Sequence, residues 1–111
     1  MGKIKHPFAP ADNTQLTQAA TMNLTVRNNK TFVTLSAAMG QNSTLNIANE
    51  GEIDAGATVI MRAASDGTAR SLTPGTGCTG TAVSGTISKT NVIEFEWTGA
   101  TWLLKSARLI D

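Results

Sequence analysis

Gly75, Gly77 and Gly80 spell G-x-G-x-x-G, the spacing that lets backbone N–H groups approach a pyrophosphate. That chemistry also needs a preceding parallel strand and a following helix whose N-terminus holds the phosphate. Here Pro74 leads into the run and Thr81 to Ile87 reads as a strand, so the glycines are expected to shape a structural loop. Glu50, Glu52 and Asp54 alternate around Gly51 and Ile53 like oxygen ligands for calcium. Without the spacing and closing glutamate of a calcium loop, they read as an exposed turn. Glu94 and Glu96 are residue types suited to a glycosidase carboxylate pair. Two positions apart on an alternating segment, they share one strand face, and Lys105 is the expected ion-pair partner of Glu94.

The remaining reactive side chains stand alone. His6 is the sole histidine and lies far in sequence from any acid or nucleophile cluster, so a triad, a histidine metal site or a proton shuttle lacks its partners. Cys78 is the sole cysteine, which excludes an intrachain disulfide. Its nearest charged neighbours in sequence are Arg70 and Lys89, and it reads as a buried or incidental thiol. Asn23-Leu-Thr25, Asn29-Lys-Thr31 and Asn42-Ser-Thr44 match the glycosylation sequon, but no secretory signal accompanies them. No residue is assigned a catalytic, cofactor-binding or metal-binding role, and the chain is read as a non-enzyme.

Composition narrows the field further. The 111 residues suit one domain with a modest core. Charged residues make up 15% of the chain, against about 25% in an ordinary soluble domain. A net charge of +1 provides no field for nucleic acid or an anionic membrane. Met1 to Phe8 has no apolar core of a signal peptide, and His6 stands where a myristoylation signal wants Ser or Thr. No apolar run approaches the roughly 20 residues of a membrane span. Synthesis in a cytoplasm, without a membrane address, is expected.

What would position side chains is a series of short strands. Met22, Leu24 and Val26 alternate with polar residues, Asn28-Asn29 offers a turn, and Thr31, Val33 and Leu35 follow. Leu45 and Ile47 mark another strand, and Thr58 to Met61 is apolar on successive residues, as in a strand covered on both sides. Ser65-Asp66-Gly67-Thr68 reads as a hairpin turn pairing Met61 with Leu72. The clearest signal is Asn91 to Lys105, a hairpin around Gly99-Ala100. That register sets Thr98 opposite Thr101, Trp97 opposite Trp102, Phe95 opposite Leu104 and Glu94 opposite Lys105. Each tryptophan buries about 150–250 Å², so this hairpin is expected to close the core. The fold expected is all-β, a small antiparallel, jelly-roll-like β-sandwich over residues 21–111. Residues 1–20 carry Pro7 and Pro10, lack strand alternation and are expected to form an extended arm.

The ordered set of elements resembles a β-module of tailed-bacteriophage fibre and virion-surface proteins. The segments that carry the resemblance are Asn29 to Leu35, Ala57 to Met61, Asp66 to Gly75 and Thr90 to Trp102. The last ends in the pattern Phe-x-Tyr/Trp-x-Gly-x-x-Trp, supplied here by Phe95, Trp97, Gly99 and Trp102. The resemblance covers roughly residues 21 to 105 and implies a homotrimeric, non-enzymatic module at the virion surface. A short module with an arm suits a capsid decoration or head-fibre protein bound to the major capsid or fibre protein. The arm would dock through Lys3, Ile4, Lys5, His6, Pro7 and Phe8, and Val59, Ile60, Met61, Leu103 and Leu104 are candidates for the subunit interface. The other reading is a receptor-binding tail-fibre module in which Trp97 or Trp102 stacks on bacterial surface glycan.

Overall fold

A computed structural model describes residues 12–110 of the chain. Ten strands occur in them and no helix. They are β1 (Asp12–Leu16), β2 (Thr21–Val26), β3 (Lys30–Leu35), β4 (Ser43–Asn49), β5 (Thr58–Ala64), β6 (Ser71–Pro74), β7 (Cys78–Thr79), β8 (Val83–Ser84), β9 (Thr90–Trp97) and β10 (Trp102–Leu109). A six-stranded sheet has the order β1-β3-β5-β9-β10-β7, and a four-stranded sheet the order β2-β4-β6-β8. The protein is an all-β, two-sheet sandwich.

Strand direction departs from the antiparallel, jelly-roll-like expectation. From β1 to β8 the chain changes sheet at every strand, so each circuit adds one strand to each layer. As a result β1, β3 and β5 pair in parallel, and so do β2, β4 and β6. The crossover that parallel strands require is supplied by a strand of the opposite layer. Asn28-Asn29 and Ser65 to Thr68 are therefore corners between sheets and not hairpin turns. Both kinds of connection use the same turn residues, and alternation tells which side chains face the core without telling which sheet they hang from.

The core lies between the layers. Met22, Leu24, Val26, Leu45, Ile47 and Leu72 enter from the four-stranded sheet. Val33, Val59, Met61, Ile93, Phe95 and Trp102 meet them from the other. Val59 and Met61 are each 0% exposed, so these two candidates for a subunit interface are core residues of a single chain. The second layer inferred for Thr58 to Met61 is the opposite sheet on one side. On the other side, half-buried Ile60 lies on the outer face.

The β9–β10 hairpin keeps the expected register near its turn, with Trp97 paired to Trp102 and Phe95 to Leu104. Thr98 N–H donates to the Thr101 carbonyl at 3.0 Å, and Gly99 takes φ +100° in the loop. Beyond Leu104 an irregularity shifts the pairing, so Ser106 and not Lys105 lies opposite Glu94. Lys105 Nζ instead meets Glu96 Oε1 at 3.2 Å. One extra residue on one strand is the mark of a β-bulge. The strand expected over Thr81 to Ile87 shrinks to Val83–Ser84.

The expected arm also changes at its C-terminal end. Asp12 to Leu16 forms edge strand β1, paired in parallel with Thr31 to Leu35. Leu16 is its only strongly apolar residue, so the period-2 signal is missing and backbone pairing to β3 carries the strand. Lys3, Ile4, Lys5, His6, Pro7 and Phe8 lie outside the described residues.

Candidate functional site

Side chains on the outer face of the six-stranded sheet line up in rows across the strands. One row runs Gln15, Thr34, Arg62, Val92, Arg108. The next runs Asn13, Phe32, Ile60, Glu94, Ser106. Their neighbours in sequence, Val33, Met61, Ile93 and Phe95, fill the core, and alternation sends these rows outward. The rows floor a groove of about 760 Å³ lined by Phe32, Ile60, Val92 and Ile110 with Arg62, Glu94 and Arg108 among them. Its volume falls in the range of about 300–1,000 Å³ usual for small-molecule sites.

Among the described residues the charged groups of the groove form no ion pair with one another. The ion pairs among the described residues join Arg27 to Glu50, Arg70 to Asp66 and Lys105 to Glu96. Arg62 and Arg108 belong to none of them. They flank Val92 from the strands on either side, which places their Cα atoms about 10 Å apart at the strand spacing of about 4.8 Å. Glu94 sits two residues along the central strand, about 7 Å from Val92. Phe32 is half-buried in the groove, and Lys30 Nζ lies 5.6 Å from its ring centroid.

The motifs singled out from sequence take structural places. Gly77 has φ +83°, and a Cβ there would strike the Ile47 carbonyl oxygen. A Cβ on Gly75 would strike Asn46 Oδ1. The glycine run therefore lets its loop lie against β4, and β-strands surround it. Asn46 Oδ1 accepts from Thr76 N–H at 2.8 Å, while Asn46 Nδ2 donates to Asn23 Oδ1 at 3.1 Å. Asn42 Oδ1 accepts from Ser71 N–H at 3.0 Å, and Asn29 Nδ2 donates to Asp54 Oδ2 at 2.7 Å. The sequon asparagines thus tie successive circuits of the chain together. Cys78 is half-buried, burial pushes its thiol pKa up, and its Sγ lies 3.6 Å from the Leu45 carbonyl oxygen. Glu50 pairs with Arg27 at 2.9 Å. Among the described residues no three His, Cys, Asp or Glu side chains converge as metal ligands.

The core takes up the whole of one tryptophan and part of the other. Trp102 is 1% exposed, and Trp97 is half-buried against the core. Of the other interface candidates, Leu104 packs half-buried on the core and Leu103 is 41% exposed. The groove residues Phe32, Arg62 and Arg108 carried no signal in sequence, because their alignment depends on the sheet order β3-β5-β9-β10 and on the bulge in β10.

Compared with protein-family models the chain matches none, and no curated protein matches it significantly.

Proposed function

We propose that the protein is a non-enzymatic structural component of a tailed-bacteriophage virion, of the capsid-decoration or head-fibre kind. It assembles as a homotrimer at the virion surface, bound to the major capsid or fibre protein through its N-terminal segment. The observation that carries this reading is the place of the aromatic pattern behind the resemblance. Phe95 and Trp102 are core residues, Trp97 packs on them, and Gly99 turns the hairpin. A pattern spent on architecture favours a structural module over a glycan reader that stacks on Trp102, which the core encloses.

A second observation supports self-association. β10 pairs with β7 only at Trp102 and Leu103, which leaves its outer edge from Lys105 to Leu109 without a strand partner among the described residues. Leu103, Leu109 and Ile110, at 41%, 47% and 44% exposure, lie along or just beyond this strand. An open strand edge with apolar side chains is a template for another chain. Mass spectrometry of purified particles, with imaging of particles labelled on this protein, tests the assignment. The expected result is stoichiometric label on the capsid or its fibres. Absence of the protein from intact virions would refute it.

A further inference from the structure

We propose that the groove on the outer face of the six-stranded sheet binds a carboxylated saccharide, with the sugar carboxylate held between Arg62 and Arg108. The inference does not depend on where the protein sits in a particle. Two arginines with no carboxylate partner among the described residues flank one apolar residue, Val92, in the strand register. Long, flexible arginine side chains about 10 Å apart at their Cα atoms can converge on one anion lying over Val92. Arginine matches a planar carboxylate by two parallel N–H···O bonds.

Glu94 decides which kind of anion fits. It lies in the next row, on the same strand as Val92 and opposite Ser106. A bare sulfate would face its negative charge with nothing to donate. A sugar acid brings hydroxyl donors beside its carboxylate, and these suit Glu94 and the hydroxyl of Ser106 as acceptors. Its C–H face suits the apolar floor of Phe32 and Ile60. An acidic peptide supplies the carboxylate but few hydroxyls. The rows cross five strands, from Asn13 to Ser106. At about 4.8 Å per strand that spans about 19 Å, room for several sugar units.

The test titrates the full chain by calorimetry with tetragalacturonate and with a sialic-acid tetramer. Fully methyl-esterified tetragalacturonate, a hexaglutamate peptide and sodium sulfate serve as controls. At least one acidic saccharide is expected to bind, and the neutral ester to bind at least tenfold more weakly. Arg62→Gln and Arg108→Gln should each weaken saccharide binding at least tenfold, while Arg27→Gln, remote from the groove, should leave it unchanged. Glu94→Ala should weaken the saccharide several-fold without weakening sulfate. The exposed arginines are outside the core, and circular dichroism confirms that each variant is folded. Binding that ignores both arginine variants, or an ester that binds as well as the acid, overturns the proposal. Sulfate as tight as saccharide reduces the groove to a non-specific anion site, and tighter hexaglutamate makes it a peptide site; either refutes the saccharide. No binding of either saccharide at millimolar concentration also refutes it.

Discussion

Trp102 Nε1–H donates to Asn49 Oδ1 at 2.8 Å, so this core aromatic ring of the hairpin is anchored across the sandwich to the end of β4. The same ring meets Trp97 with centroids 5.4 Å apart and planes tilted by 44°. Burial, ring contact and a satisfied indole N–H act on one residue. Trp102→Ala is expected to cost about 3–5 kcal/mol, in line with large-to-small core substitutions. Asn49→Ala leaves the indole donor buried without that partner and should cost about 1–3 kcal/mol. Urea denaturation of both variants checks the order. A Trp102→Ala loss under about 1 kcal/mol, the scale of surface substitutions, would contradict a core role.

Two glycines with positive φ should respond differently to alanine. Gly77 combines φ +83° with a position where a Cβ would strike the Ile47 carbonyl oxygen, while Gly99, at φ +100°, has open space around it. Gly99→Ala meets backbone strain alone, on the order of 1–3 kcal/mol. Gly77→Ala adds a clash with backbone that cannot rotate away and should be the more destabilising. Thermal melting of the two variants side by side measures the difference. Equal losses would mean that the 75–78 loop yields freely from β4.

The corner between β5 and β6 carries a pH dependence. Arg70 donates to both carboxylate oxygens of Asp66, at 2.9 and 3.0 Å, and Thr68 N–H donates at 3.0 Å. The Arg70 hydrogen bonds, followed by that from Thr68, hold the Asp66 carboxyl below its ordinary range. A folded-state pKa below the unfolded value adds stability above the unfolded pKa, and this is lost as pH falls through the folded value. The melting-temperature gap between the wild type and Asp66→Asn should therefore be constant from pH 7 down to about 4. Below that it should close. A gap that persists unchanged at pH 2 would exclude the carboxylate as its source.

The same corner marks how far sequence reading reaches. Met22, Leu24 and Val26, then Val33, Leu45 and Ile47, were legible as inward-facing by alternation alone, and so was the all-β class; Leu72 was paired with Met61, which lies in the other sheet. The turn chemistry of Asp66-Gly67-Thr68 was legible too. What it could not encode was direction, because an Asx-type turn serves a corner as well as a hairpin. Near Gly99 the loop was short and both faces agreed, so the Trp97–Trp102 and Phe95–Leu104 pairs were readable. The bulge after Leu104 was not, since nothing in Lys105-Ser106 distinguishes a bulged from a regular strand. The groove depended on that bulge and on three sheet neighbours distant in sequence, so nothing in the sequence set Arg62 and Arg108 apart.

The proposed self-association through β10 predicts a trimer in solution that charge can disperse. Leu103 and Leu109 are exposed, so Leu103→Lys with Leu109→Lys should leave the fold intact. Lysine on an open edge is a usual barrier to pairing. Multi-angle light scattering should give three times the 11.6 kDa chain mass for the wild type and a single chain mass for the double variant. A monodisperse wild-type monomer at micromolar concentration would exclude the trimer.

The proposed docking by the N-terminal segment is separable from folding by two truncations. Removing residues 1–10 takes away Lys3, Ile4, Lys5, His6, Pro7 and Phe8 but none of the ten described strands, since β1 starts at Asp12. That protein should keep its β-sheet circular dichroism and its oligomeric state. Removing residues 1–16 also deletes β1 and the five-residue parallel ladder to β3. It uncovers the edge beside Val33, a core residue, and should lower the melting temperature. Supplied in place of the full chain during particle assembly, the shorter truncation should fold yet fail to join virions. The apolar anchors Ile4 and Phe8 and the cations Lys3 and Lys5 would be missing from the contact, and an extended segment gains affinity through main-chain bonds along a partner's sheet edge. Full occupancy by the 1–10 truncation would transfer the attachment site to the β-sandwich surface.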